Sequence, residues 1–272
     1  MTYTPGRRPR GRRWRRNHCE AKSRHVNQRR LKHELLEDRR LLAVDLVFDY
    51  SLDTAGFFSD QERKDALERA ATVLENRLED DLTAITPGNG NTWTAVFSHP
   101  ETGNQHEIDN LVIPTDTLVV FVGSRNISNL GIGGPGGYSV AGTSQFVNNM
   151  ITRGESGIAT GADTSGNTDF APWGGVMTFD SDTAWNFSAD LPTSGSNDFY
   201  SVALHELGHV LGYSTSHSWN NQVNGSGQFT GTAAVEAHGS PVQLAGDNSH
   251  WAGGTISTLP GSILTHFQPH IR

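Results

Sequence analysis

Cysteine is almost absent from this chain of 272 residues, whose one cysteine, Cys19, lies near the N-terminus. The rest of the chain therefore cannot form a disulfide scaffold or a metal site built from thiolates. Long apolar runs are missing too, since no stretch approaches the roughly 18 consecutive apolar residues of a membrane span. With 35% hydrophobic residues, the chain still has enough apolar side chains for the core of one ordinary domain.

Basic residues are scarce after residue 40. Residues 1–40 carry 14 of the 21 Lys and Arg against four acidic residues, which leaves 7 basic and 25 acidic residues in the remainder. This acidic body should repel phosphates, so we expect no nucleic-acid binding from it. The basic segment predicts a solvated, disordered arm, and binding to nucleic acid or to an acidic envelope surface is the alternative use of its charge.

The end of the basic arm resembles the leader of many large exported bacterial proteins, in the run HELLEDRRLLA at residues 33–43. The resemblance implies that residues 1–43 form a leader and that the protein is secreted or held in the bacterial cell envelope. Residues 44–272 are then the folded domain, whose oligomeric state the sequence leaves open.

The body opens in the order strand, helix, strand, strand. The rough apolar alternation of Val44–Tyr50 predicts a strand, and apolar residues at helical spacing predict an amphipathic helix within residues 59–82. Trp93–Phe97 and Thr117–Val122 are typical of strands, the second apolar enough to be central. Gly175–Asp180 predicts a further short strand.

Residues 123–172 are rich in Gly, Ser, Asn and Thr, with a run of glycines from Gly131 to Gly137. No lysine follows these glycines, and their spacing is not that of a phosphate-binding loop. We therefore expect a long surface loop in this part of the chain.

A metal-binding motif follows, in the sequence HELGH at residues 205–209. Asp198 can cap a helix over Phe199–Leu211, and Gly212 is a suitable left-handed stop. Because residues four apart share a helix face, His205 and His209 can bind one zinc ion, and Glu206 lies beside it as a general base. Zinc-activated water then predicts peptide-bond hydrolysis.

The motif resembles that of the metzincin metallopeptidases, His-Glu-x-x-His-x-x-Gly-x-x-His, and matches it through Gly212. The third ligand position holds Thr215, a poor zinc ligand, and from the residues alone either His217 or His250 could replace it. The family resemblance implies an α+β fold, with a twisted mixed sheet and two long helices, the second carrying the zinc site. It also implies a cleft bounded by an edge strand, here Gly175–Asp180, that pairs with extended substrate.

The third ligand is indicated by a narrower resemblance. In the leishmanolysin-like branch of the metzincins, the third histidine comes after a long insertion and in a Ser-His-Trp context, which Ser249-His250-Trp251 resembles. This resemblance implies that His250 completes the ligand set, with His217 as the alternative.

One departure from the family pattern and one further metal complete the predictions. No methionine follows the zinc motif, since the last is Met177, and residues 261–265 resemble the family's methionine turn with Leu264 at the methionine position. Asp180 and Asp182 could ligate a structural calcium ion.

The sequence thus predicts a secreted zinc endopeptidase that acts on protein or peptide substrates. The alternative is a non-catalytic zinc-binding surface protein of the same fold. Glu206 favours the enzyme, because a purely structural zinc site has no need of this carboxylate.

Overall fold

The structure is a computed structural model that describes residues 44–78, 80–151, 153, 173–190 and 195–255. The chain divides into two units, residues 1–40 and 41–272, and all described residues belong to the second. The predicted leader lies outside the described residues, so the domain boundary after residue 43 stays a prediction. None of the described helices combines the length and the apolar character that crossing a membrane requires.

The described part contains both strands and helices. The strands are β1 (Asp45–Asp49), β2 (Thr92–Ser98), β3 (Gln105–Asp109), β4 (Thr117–Arg125), β5 (Gly131–Pro135), β6 (Gly137–Ala141), β7 (Gly174–Asp180), β8 (Trp185–Asn186), β9 (Asn197–Asp198), β10 (Gln228–Phe229) and β11 (Val242–Gln243). The α-helices are α1 (Gln61–Glu75), α2 (Ser144–Ile151), α3 (Phe199–Val210), α4 (His217–Asn221) and α5 (Thr232–His238).

A mixed sheet with the strand order β1-β4-β7-β5 forms the centre of the domain. Strands β1, β4 and β7 are parallel, and β5 is antiparallel to β7. Strand β4 is buried from Thr117 to Ser124, as expected for a strand covered on both faces. The mixed sheet and the two long helices α1 and α3 confirm the fold class predicted from the sequence.

Helices α1 and α3 pack against one face of this sheet. The apolar stripe of α1 is buried there, as its helical spacing predicts, in the residues Ala66, Leu67, Ala70, Ala71 and Leu74. Val202 and Leu204 of α3 join the same core, together with Leu118 and Val120 of β4. Burial of each such side chain contributes roughly 1.5–3 kcal/mol, so this layer fixes α3 firmly on the sheet.

An antiparallel sheet with the order β3-β2-β6 lies on the opposite face. Trp93, Ala95 and Phe97 of β2 are buried in it, and they share a core with Val119 and Phe121 of β4. Successive side chains of a strand point to opposite faces, so β4 contributes to both cores. The strand predicted at residues 93–97 is confirmed, but it belongs to this second sheet.

The glycine-rich stretch corrects two predictions. Its described part contains β5, β6 and α2 instead of one long loop. The outer strands of the described central sheet are β1 and β5, whereas β7 is an inner strand with neighbours on both sides, so the edge predicted at Gly175–Asp180 is wrong. Glycine suits β5 because this strand lies against α3 with no room for side chains at Gly131 and Gly133.

The chain after α3 builds a small core of its own. It turns at Gly212, whose φ of 90° favours glycine, as predicted for the helix stop. The buried residues that follow are Trp219, Phe229, Ala237, Val242, Leu244 and Trp251. Trp219 Nε1 donates to the Asn248 carbonyl at 3.1 Å, and the Ala245 N–H donates to the His250 carbonyl at 2.7 Å. This core therefore fixes the turn that carries His250.

Candidate metal centre

The HELGH motif lies on α3, the helix that the sequence predicts for it. The Asp198 carboxylate caps the helix by accepting a hydrogen bond from the Ser201 N–H at 3.2 Å. His205 and His209 are one turn apart, and only 2% and 7% of their surfaces are exposed. Both imidazoles are therefore turned away from bulk solvent.

Three histidines converge at this point of the fold. His205, His209 and His250 each offer one ring nitrogen, and these three atoms lie within 4.8 Å of one another. The Nε2 atoms of His205 and His209 are 3.0 Å apart. Two nitrogens bound to one tetrahedral zinc ion at about 2.0–2.1 Å lie about 3.3 Å apart, so this geometry fits such an ion.

His209 is held by main-chain and side-chain groups just beyond the helix. Its Nδ1 lies 3.0 Å from the Tyr213 carbonyl and 2.8 Å from Ser214 Oγ. A carbonyl only accepts, so this contact places the proton on Nδ1 and leaves the lone pair of Nε2 toward the other histidines. Burial lowers the pKa of His209, which also favours the neutral imidazole that binds metal.

His250 is oriented by a carboxylate. Its Nδ1 lies 2.8 Å from Oδ2 of Asp247, whose other oxygen accepts the Ser249 N–H at 2.9 Å. The His250 ring is 5.2 Å from the ring of His205 and 5.3 Å from that of His209, centroid to centroid. A carboxylate behind a histidine is the usual partner that fixes a metal ligand, because it sets both the tautomer and the ring orientation.

Glu206 occupies the gap between α3 and β5. It is 3% exposed, and burial raises the pKa of its carboxyl to about 8, although a hydrogen bond from the Gly133 N–H opposes this rise. Glu206 follows His205 directly on α3, and a buried carboxylate at this place can exchange a proton with a bound water or substrate. The arrangement therefore offers both a metal site and an acid–base group.

Thr215 and His217 are the two other positions that the sequence offers for the third ligand. The Thr215 hydroxyl donates to the His209 carbonyl at 2.9 Å, so it is engaged with the helix backbone. His217 begins the short helix α4, and its side chain lies outside the described part of the structure. The described histidine that joins His205 and His209 is His250.

Other predicted features are not brought into this centre. Asp180 is buried, and its carboxylate accepts hydrogen bonds from the Ile127 N–H at 3.0 Å and the Thr183 hydroxyl at 2.6 Å. Asp182 accepts from Asn126 Nδ2, and calcium binding at this pair stays a prediction. Leu264, in the predicted methionine-type turn, lies outside the described residues.

Sequence reasoning missed the groups that orient the histidines. Asp247 stands three residues before His250, a spacing that could have indicated their contact in a tight turn. No sequence pattern marks Ser214 or the carbonyl of Tyr213 as partners of His209. The same holds for Gly133, whose contact with Glu206 depends on tertiary pairing.

Comparison with known proteins shows a similarity to a peptidase family over part of the chain. Residues 152–242 match the matrixin peptidase family, a stretch that includes the HELGH motif and ends before His250. One relative is matrix metalloproteinase-2 of Drosophila melanogaster, 42% identical over 62 residues, which are 20% of this chain and 8% of that protein. The comparison with solved structures found no match. With the three converging histidines, the two sequence matches support a metzincin-family metallopeptidase.

Proposed function

We propose that this protein is a zinc endopeptidase in which His205, His209 and His250 bind the metal and Glu206 is the general base. The convergence of three imidazole nitrogens, with the buried Glu206 next to His205 on the same helix, is the observation that carries the proposal. The matrixin match agrees with zinc-dependent peptidase activity in general.

The donor set fits zinc in a catalytic role. Three histidines are a usual protein ligand set for catalytic zinc, which keeps a fourth position open for water or substrate. Structural zinc sites instead use four protein ligands, often cysteines, and the described residues contain no cysteine. The partners of His209 and His250 at Nδ1 support binding through the opposite nitrogen.

The proposed mechanism assigns the proton transfers to Glu206. When bound, zinc supplies Lewis acidity, which acidifies a water molecule and polarises the scissile carbonyl. In its ionised form, Glu206 takes a proton from the attacking water and later delivers it to the leaving amine. Its burial between α3 and β5 excludes bulk water from the carboxylate, and the Gly133 N–H holds it in place.

We propose that the outer side of β5 binds the substrate main chain. The Leu130 carbonyl accepts from Asp180, and the Gly136 N–H donates to Gly174, so alternate residues of this stretch face β7. The main-chain groups of Gly131 and Gly133 then face away from β7. An extended peptide can pair with the two carbonyls and with the Gly131 N–H, since the Gly133 N–H already donates to Glu206.

Two finer assignments belong to this proposal. The third ligand after a long insertion favours the leishmanolysin-like arrangement, because position 215 holds a threonine. The basic, leader-like residues 1–43 favour export from a bacterial cell.

Zinc content and peptide cleavage test the function on the full chain. Elemental analysis should find one zinc per chain in the wild type and in His217→Ala, and much less in His250→Ala. Glu206→Gln should keep the zinc and lose cleavage of casein by a factor of about 10² or more.

Each failure has its own meaning. Absence of zinc from the wild type would overturn the metal centre. Zinc bound without cleavage of any protein substrate would instead support the non-catalytic binding protein. Zinc lost in His217→Ala but kept in His250→Ala would reassign the third ligand.

A further inference from the structure

Strand β5 approaches α3 so closely that two of its residues have no room for a side chain. A Cβ atom added at Gly131 would lie 2.7 Å from Cγ and 2.8 Å from Oε1 of Glu206. A Cβ atom at Gly133 would lie 2.2 Å from the carbonyl oxygen of Glu206. Real Cβ contacts are essentially never shorter than 3.0 Å, so a side chain at either position would displace its neighbour.

Backbone conformation does not explain these glycines. Neither Gly131 nor Gly133 has the positive φ that favours glycine. Gly134, on the same strand and equally free of positive φ, would meet nothing within 4 Å if it carried a Cβ. The requirement at Gly131 and Gly133 is therefore one of space, and in both cases the neighbour is Glu206.

The two glycines contact different parts of Glu206. Gly131 faces the flexible carboxylate arm, whereas Gly133 faces the main chain of the helix. The Gly133 N–H also donates a hydrogen bond to the Glu206 carboxylate. A side chain at Gly131 would redirect the carboxylate, and one at Gly133 would separate the strand from the helix.

We infer that Gly131 and Gly133 are positioning residues that fix the Glu206 carboxylate beside the three histidines. This inference rests on the proposed function, because it gives the glycines a role in proton transfer. Gly131 leaves space for the carboxylate arm on the side of β5, and Gly133 supplies the hydrogen bond that orients it.

Gly131→Ala is the main test, with Gly134→Ala as the matched control on the same strand. Gly131→Ala should lower kcat for a peptide substrate by about 10- to 100-fold, since a displacement of 1 Å can cost about 10²-fold. KM and zinc content should stay within about twofold of the wild type. Gly134 lies opposite Val176 and its main-chain groups face β7, so its variant should keep wild-type kcat.

A double-mutant cycle with Glu206→Ala separates positioning from general packing. Removing the Glu206 side chain vacates the space that a Cβ at residue 131 would need. Gly131→Ala should then lower the thermal unfolding temperature in the wild-type background and have little effect in the Glu206→Ala background. This readout also works if Gly131→Ala alone folds poorly.

The outcomes distinguish this inference from the proposed function. Equal kcat for Gly131→Ala and Gly134→Ala, in an active wild type, would overturn the positioning role alone. An equal loss of unfolding temperature in both backgrounds would also overturn it. A wild type that binds zinc but cleaves nothing would overturn the proposed function, and the positioning role with it.

Discussion

Removing the carboxylate of Asp247 should weaken zinc binding without removing a proposed ligand. Asp247 Oδ2 lies 2.8 Å from Nδ1 of His250, and its second oxygen accepts the Ser249 N–H at 2.9 Å. Asp247→Ala removes both contacts, so His250 loses the group that fixes its tautomer and the turn loses one hydrogen bond. Asp247→Asn keeps an oxygen acceptor but loses the charge.

The size of the effect follows from exposure. Loss of a group that orients a metal ligand typically costs about 10- to 100-fold in metal affinity. The Asp247 side chain is 52% exposed, so water screens its charge, and water can replace part of its hydrogen bonding. We therefore expect Asp247→Ala to lower the zinc affinity by about 10-fold, or about 1.4 kcal/mol, which is the lower end of this span. Asp247→Asn should lower the zinc affinity by less.

Competition with a chromophoric chelator measures this affinity on the full chain. Glu236→Ala is a suitable control, because it removes an exposed acid from helix α5 and changes the net charge equally. Asp247→Ala with wild-type zinc affinity would refute the orienting role. Equal losses in Asp247→Ala and Glu236→Ala would show that only the overall charge matters.

Three further predictions concern stability, each measured by urea denaturation at equilibrium. Asp198→Ala removes the N-cap of α3 and should cost about 0.5–2 kcal/mol of unfolding free energy; no loss would mean that the contact with Ser201 is not stabilising. Leu204→Ala removes a side chain that is 1% exposed and should cost about 2–5 kcal/mol, whereas a loss under about 1 kcal/mol would contradict its place in the core. Burial raises the pKa of Glu75, although a hydrogen bond from the Leu46 N–H opposes the rise. The folded state therefore binds this proton more tightly than the unfolded state, and the unfolding free energy should fall as pH rises from the unfolded pKa of Glu75 through its raised folded pKa. Glu75→Gln keeps an acceptor for Leu46 without the charge and should reduce this pH dependence, and an unchanged pH profile would argue against the assignment.

Helix α3 was predictable because all its signals are local. Asp198 precedes the helix, His205 and His209 have helical spacing, and Gly212 ends it. Strand β4 was equally clear, since its apolar run is long enough to indicate burial on both faces.

Strand β5 could not be predicted from its residues. Four of its five residues are glycine or proline, which lack the alternation of apolar side chains that indicates a strand. Its extended conformation comes from pairing with β7 and from its contact with α3, and neither contact leaves a local signal. Strand β2 has the apolar alternation of a strand, but its pairing partners likewise leave no local signal. It was therefore recognised as a strand but not assigned to the second sheet.

The position of His250 likewise depends on tertiary structure. The three residues before it are polar, and the core that fixes it includes Trp219 and Phe229, which stack at 4.1 Å between ring centroids. Family resemblance indicated this histidine, whereas spacing along the chain left His217 equally open.

The small aromatic core after α3 means that the proposed metal would also affect the stability of the C-terminal region. His205 and His209 lie on α3, whose apolar residues pack in the core on one face of the central sheet, whereas His250 is carried by a turn that the small core supports. An ion bound by all three would act as a cross-link between two separately packed regions of one chain. Zinc affinity would then include the free energy of keeping the C-terminal region folded against the rest, and metal loss would loosen that region first.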